Sequence, residues 1–257
     1  MNTNLYFTAF STIVIKEVSR FTRIWIQTIL PPAVSMTLYF VIFGNLIGPR
    51  IGPMDGFSYI QYIAPGIIMM SIINSAYANV VSSFFGAKFQ RHIEEMLVAP
   101  IPNIVILSGY VTGGVARGMM VGFVVTLVAL YFTELRIEKP LIVTIVVLLT
   151  SILFSLAGFI NGIFAKKFDD ITIIPTFVLT PLIYLGGVFY SINLLPDFWQ
   201  LISRTNPILY MVNAFRYGML GVSDINIQTA FIIIFIFTIA LFSVCLYLLN
   251  RGIGIKS

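Results

Sequence analysis

The sequence predicts an all-α membrane protein: one domain over residues 1–257, with six transmembrane helices, an N-terminal amphipathic interfacial helix, a short cytoplasmic helix and short re-entrant helices before the last span. Three observations carry this. Apolar residues make up 58% of the chain and charged residues only 10%, against about a quarter charged in a soluble domain. Mean hydropathy is +0.98. The apolar residues run in long blocks and the charges, net +5, gather at the block ends, the pattern of a chain whose solvent is lipid.

Along the chain, residues 3–22 read as an amphipathic helix. Phe7, Phe10, Val14, Val18 and Phe21 share one face, and Thr8, Thr12, Lys16, Arg20 and Arg23 the other. Such a helix is expected in the headgroup plane, its basic residues toward anionic lipid. This stretch lacks the charged start and unbroken apolar core of a cleavable leader. Six apolar segments follow at about 24–47, 59–84, 104–132, 141–164, 172–190 and 227–249, each near the roughly 20 residues that cross a bilayer. The fifth is short and carries Pro175 and Pro181.

Two connections are unusual. The loop 86–103, GAKFQRHIEEMLVAPIPN, places Phe89, Ile93, Met96 and Leu97 on one face of a short helix that Pro100 and Pro102 end. It suits either docking to a soluble partner or resting on the headgroups. The region 191–224 is too apolar for a plain loop: Phe198, Trp199, Leu201 and Tyr210 would be stranded in water. Pro196 and Pro207 suit helix first turns, with Asn206 as an N-cap, so two short helices dipping into the outer leaflet are expected.

Basic residues set the orientation. With the N-terminus inside, Lys16, Arg20, Arg23, Lys88, Arg91, Lys166, Lys167, Arg251 and Lys256 lie in the cytoplasm. Arg50, Arg136, Lys139, Arg204 and Arg216 lie outside, and the excess favours both termini cytoplasmic.

Chemistry is mainly excluded. Every Asp and Glu lies outside the apolar spans, which counts against an ion-coupled secondary transporter. No Walker A pattern is present, and no basic soluble face for nucleic acid. His92 is the sole histidine and Cys245 the sole cysteine, so neither a catalytic triad nor a Cys-based metal site can be assembled. No catalytic, metal or cofactor residue is expected, and an intramembrane enzyme would need clustered acids or histidines that are absent. Arg117 is the one full charge inside a span, suited to anchoring the structure or lining a pathway. Gly114, Gly118 and Gly122 on the same span form a close-packing stripe.

The segment from about 179 to 216 resembles the signature of the ABC-2 family of ABC-transporter permeases. The matching positions are Leu179, Leu182, Leu185, Gly186, Val188, Leu195, Pro196, Pro207, Ile208, Tyr210 and Arg216. The resemblance extends through TLYFVIFGNLIG, SSFFGAKFQR, LFSLAG, TFVLTP and YLGGVFYS, nearly the whole chain. It implies a multi-pass permease subunit of the bacterial inner membrane, half of an exporter, pairing with a second copy of itself. Beneath it a cytoplasmic ABC ATPase dimer would bind the ATP and Mg; this chain would bind no cofactor. Lys88, Phe89, Gln90, Arg91, His92, Ile93, Glu94, Glu95, Met96 and Leu97 would form the coupling helix seated in the ATPase. The N-terminal helix resembles a gate helix. Pro196, Pro207, Tyr210 and Arg216 would belong to the outer re-entrant region, and spans one and five would face the partner and line the pathway. Tyr39, Phe43, Phe177, Tyr184, Phe189 and Tyr190 in those spans are candidates for stacking on sugars. The family's substrates are polysaccharides, lipid-linked glycans, drugs or other amphiphiles.

Overall fold

The computed structural model describes residues 3–135 and 137–254. Arg136 and Lys256, counted above as outside and inside charges, lie outside the described residues. Among the described residues the regular structure is helical, apart from an isolated bridge between Met54 and Phe57. Helix α1 is Thr3–Arg23, α2 Trp25–Ile51, α3 Tyr59–Phe89, α4 His92–Val98, α5 Asn103–Phe132 and α6 Pro140–Phe164. The chain continues through α7 Asp170–Leu185, α8 Asp197–Arg204, α9 Pro207–Leu220 and α10 Ile227–Arg251.

Five of these, α2, α3, α5, α6 and α10, are long and apolar enough to cross a membrane. The expected fifth span, 172–190, falls on the shorter α7. At 1.5 Å per residue it is roughly 24 Å long, less than the roughly 30 Å of hydrocarbon. Its prolines alter its winding and a glycine ends it. Pro175 opens a π-helical stretch, Pro175–Leu179, and Pro181 opens the final turn, because neither has an N–H to continue the ladder. Gly187, at φ +72°, then turns the chain out of the helix. Helix α2 is also interrupted: Pro31 and Pro32 begin a new segment and Phe40–Ile47 is π-helical.

Local signals place the other boundaries. Ser58 donates from its N–H and hydroxyl to Gln61 Oε1 at 3.1 and 2.9 Å at the start of α3. Asn206 caps α9 by accepting from the Ile208 N–H at 3.0 Å, with Pro207 next, as its sequence predicts. Asn226 does the same for α10.

The centre of the bundle is α3, buried along most of its length and packed by α5, α6 and α9. The expected glycine stripe provides the close approach: Gly114 faces Ser155 and Val80, Gly118 faces Ser151 and Ala76, and Gly122 faces Ile72. In lipid, helices associate through such dispersion contacts rather than through a hydrophobic effect. The expected re-entrant pair divides in two. Helix α9 is inside the bundle, buried at nearly every position, whereas α8 leaves Phe198, Trp199 and Leu201 exposed.

One end of the bundle collects the end of α3, α4, and the junction from α6 to α7. There Lys88 Nζ donates to the Ile163 and Ala165 carbonyls. Asn103 joins Asn250 at 2.8 Å, bringing in α5 and α10. The other end collects the turn before α6, where the Lys139 N–H donates to Gly218 at 2.9 Å, with the end of α9 and the 186–192 loop.

Candidate functional site

At the first end, the loop 86–103 forms a short helix, but later than its apolar pattern suggests. Lys88 and Phe89 are the last residues of α3; Arg91, left-handed at φ +61°, breaks the chain before α4. The periodicity of Phe89 with Ile93 therefore spans two helices. Ile93 is buried, with Met96 and Leu97 packed on the bundle, while Gln90, Arg91, His92, Glu94 and Glu95 are exposed. Lys88 does not project from the surface: it neutralises the carbonyl end of α6, where the helix dipole is negative. Phe89 packs tilted against Phe85 and edge-on against Phe168, whose centroids lie 5.9 and 5.0 Å away. The N–H groups of Lys166 and Lys167 both donate to Asp170 Oδ2, at 2.8 and 3.0 Å, and hold its carboxyl below the usual carboxylate range. The end of α3, the α6–α7 turn and the start of α7 thus form one braced surface beside α4.

The second assembly joins α1 to the bundle. The face that α1 buries is Ile13, Glu17 and Phe21, not the stripe from Phe7 to Phe21 read from the sequence; Phe7 is 71% exposed. Ile13 packs against Gly109 and Glu17 against Gly113. Both sides advance four residues together, so α1 runs alongside α5. Glu17 is fully buried and accepts the Ser83 hydroxyl. Arg20, assigned to the headgroup face from sequence, turns inward instead. Its Nη2 donates to Asn79 O at 2.8 Å and Asn79 Oδ1 at 2.9 Å, and lies 3.4 Å from Glu17. A buried carboxylate needs such partners, because an isolated charge in low dielectric is costly. Arg117 sits just beyond, its Nη2 3.5 Å from the Thr28 carbonyl where α1 passes into α2.

Sequence reasoning named none of Glu17, Asn79 and Ser83, because the pattern within α1 does not say which residues of another helix lie opposite it. The signal that finds them is the run Ser71, Ser75, Asn79, Ser83 at four-residue spacing on α3, polar atoms in an apolar span that need partners.

The third assembly is aromatic. Tyr39 and Phe43 of α2 meet Phe189 at 5.8 and 5.3 Å between centroids, and Tyr184 of α7 stacks on the same ring at 5.7 Å. Tyr190 joins through its hydroxyl, donating to the Tyr184 carbonyl at 2.9 Å. Of the six aromatic candidates, only Phe177 stands apart, 74% exposed on α7. Tyr59, not among them, extends the cluster, 6.5 Å from Phe43, and donates to the Phe189 carbonyl at 3.1 Å. Of the outer region, Tyr210 donates to Arg204 O at 2.7 Å, Pro196 precedes α8, Pro207 begins α9, and Arg216 is completely buried. Arg216 thus leaves the tally of loop charges, whereas Arg20, its side chain 29% exposed, stays in it.

Comparison with known proteins follows this geometry. The family described as ABC-2 type transporter matches residues 8–220. The chain is 58% identical over 254 residues, 99% of each chain, to the inner membrane transport permease YadH of Escherichia coli (strain K12). It is 25% identical over 227 residues, 88% of each chain, to nodulation protein J of Rhizobium leguminosarum bv. viciae. The family match runs from within α1 to the end of α9 and leaves α10 beyond it, and this chain belongs to the ABC-2 type transporter family.

Proposed function

We propose that this chain is the transmembrane permease subunit of an ATP-binding-cassette exporter of the bacterial inner membrane, carrying no catalytic residues of its own. Two copies pair in the membrane and a cytoplasmic ATPase dimer, holding ATP and Mg, docks beneath them. The observation that carries this reading is the 58% identity over 99% of the chain to an inner membrane transport permease. The braced surface around α4 supports it: exposed Arg91, His92, Glu94 and Glu95 are offered to a partner while Lys88 and Ile93 tie the helix to the bundle. Motion at α4 then reaches α7 through the Phe85, Phe89 and Phe168 contacts.

On this reading α7 is the sixth crossing. It leaves the bundle end that holds Lys88 and Ile163 and delivers the chain to the end that holds Arg216. The residues beyond Leu185 complete the distance as an irregular loop buried in protein, where non-helical backbone is tolerated. The termini then both lie in the cytoplasm. The aromatic cluster between α2 and α7 lines the outer half of the pathway and suits an amphiphilic cargo with flat or ring-shaped faces, a polysaccharide or lipid-linked molecule, moved outward.

Purification of the full chain with its ATPase tests this: the two should copurify, and the ATPase rate of the reconstituted complex should respond to one of a panel of glycans, lipids and drugs. A chain that carries cargo down an ion gradient with no ATPase attached is instead a secondary transporter.

A further inference from the structure

One buried ion pair holds both ends of the 187–192 loop. Arg216 on α9 donates from Nη2 to the Gly187 carbonyl at 2.7 Å. Asp224, just past the Gly221 turn, accepts from the Ser191 hydroxyl at 2.7 Å and the Ile192 N–H at 3.1 Å. The two side chains are 3.8 Å apart, an ion contact rather than a hydrogen bond, and are almost completely buried. Arg216 also lies over the Tyr62 ring at 4.1 Å, and the Asp224 N–H donates to Asn213 on α9 at 2.9 Å. The loop between these grips seats its middle on Gly66 of α3. A Cβ there would strike Val188, whose Cα lies 2.8 Å from that position. Phe189 and Tyr190 project from this clamped loop into the aromatic cluster.

A buried ion pair is weak evidence for stability, since an apolar pair of similar volume often packs as well. What an apolar pair cannot supply is a donor to Gly187 and two acceptor oxygens for Ser191 and Ile192. The strong hydrogen bonds of both charges are spent on the loop. We propose that Arg216 and Asp224 are positioning residues that clamp the 187–192 loop and so hold Phe189 and Tyr190 across the outer end of the pathway. This deepens the reading of α2 and α7 as pathway-lining and rests on it.

The test uses the full chain in the Cys245→Ala background with Tyr190→Cys as reporter, labelled by a membrane-impermeant maleimide. Asp224→Asn should raise the labelling rate about tenfold, the scale of one charge-assisted hydrogen bond; Ser191→Ala, which removes one arm, should raise it less. Gly66→Ala should raise it too with the clamp intact, by pushing Val188 outward. Asp197→Cys, on exposed α8, should label at a constant rate in all of them. Labelling that stays at the parent rate in Asp224→Asn and Ser191→Ala overturns the clamp; if Asp224→Asn fails to accumulate, Ser191→Ala decides alone. Leak of carboxyfluorescein from proteoliposomes separates the two readings. Faster labelling with faster leak supports both, whereas faster labelling with unchanged leak overturns the placement of the loop on the pathway.

Discussion

Glu17 and Arg91 show how single residues carry costs that the rest of the molecule offsets. Glu17, fully buried, is held by Ser83 and Arg20. Glu17→Ala leaves the inward-turned Arg20 short of its partner and should cost about 1–3 kcal/mol. Glu17→Gln keeps an acceptor for Ser83 and should cost less. Thermal melting of the detergent-solubilised chain checks this, and equal losses for Ala and Gln would show that the network contributes only volume. Arg91 has the opposite character. It is an exposed residue in the left-handed region, where a side chain costs about 1–2 kcal/mol. Arg91→Gly should therefore slow hydrogen exchange across 90–98, while the same change should weaken ATPase docking if the guanidinium makes that contact.

At the scale of elements, α4 and α5 make separate demands. Exposed Glu94 and the packed Phe89 stand at the proposed contact with the ATPase. Glu94→Ala or Phe89→Ala should let ATP hydrolysis continue while transport falls, and unchanged coupling in both would remove this loop from the mechanism. The face of α5 that meets α3 and α6 depends on the absence of side chains. Gly114 faces Ser155 and Val80 so closely that any Cβ overlaps them, and Gly114→Val should destabilise the bundle by about 1–3 kcal/mol through overpacking, seen as loss of monodisperse protein on size exclusion. Helix α1 was legible in its period, yet its buried face was not. Phe7, Val14 and Val18 are as apolar as Ile13, and what selects Ile13 and Glu17 is Gly109 and Gly113 on α5, which pattern within α1 does not contain.

For the whole molecule, the proposed pairing brings one exposed face of each copy together. Helix α7 exposes Ile173, Ile174, Phe177 and Val178, and with α7 at the two-fold axis these residues meet their own copies. Phe177→Cys in the Cys245→Ala background should therefore form an intermolecular disulfide on oxidation. Cross-linking instead through Met120→Cys, on the exposed face of α5, would move the dimer contact away from α7.

Composition and period alone determined that this chain lives in lipid and where most of its long helices lie, because these follow from the transfer of apolar blocks. The quoted 179–216 positions were enough to place the family. Only the tertiary structure decided that Glu17, Arg216 and Asp224 are internal, that Arg20 turns toward Asn79, that Lys88 closes α6, and that Tyr39, Phe43, Tyr59, Tyr184, Phe189 and Tyr190 share one cluster. Each rests on contacts between segments tens to more than a hundred residues apart, such as Glu17 with Ser83 and Arg216 with Tyr62, and what a charge meets across that distance leaves no trace in local pattern. The cost of burying it is the same everywhere, but where its partner comes from is settled by packing.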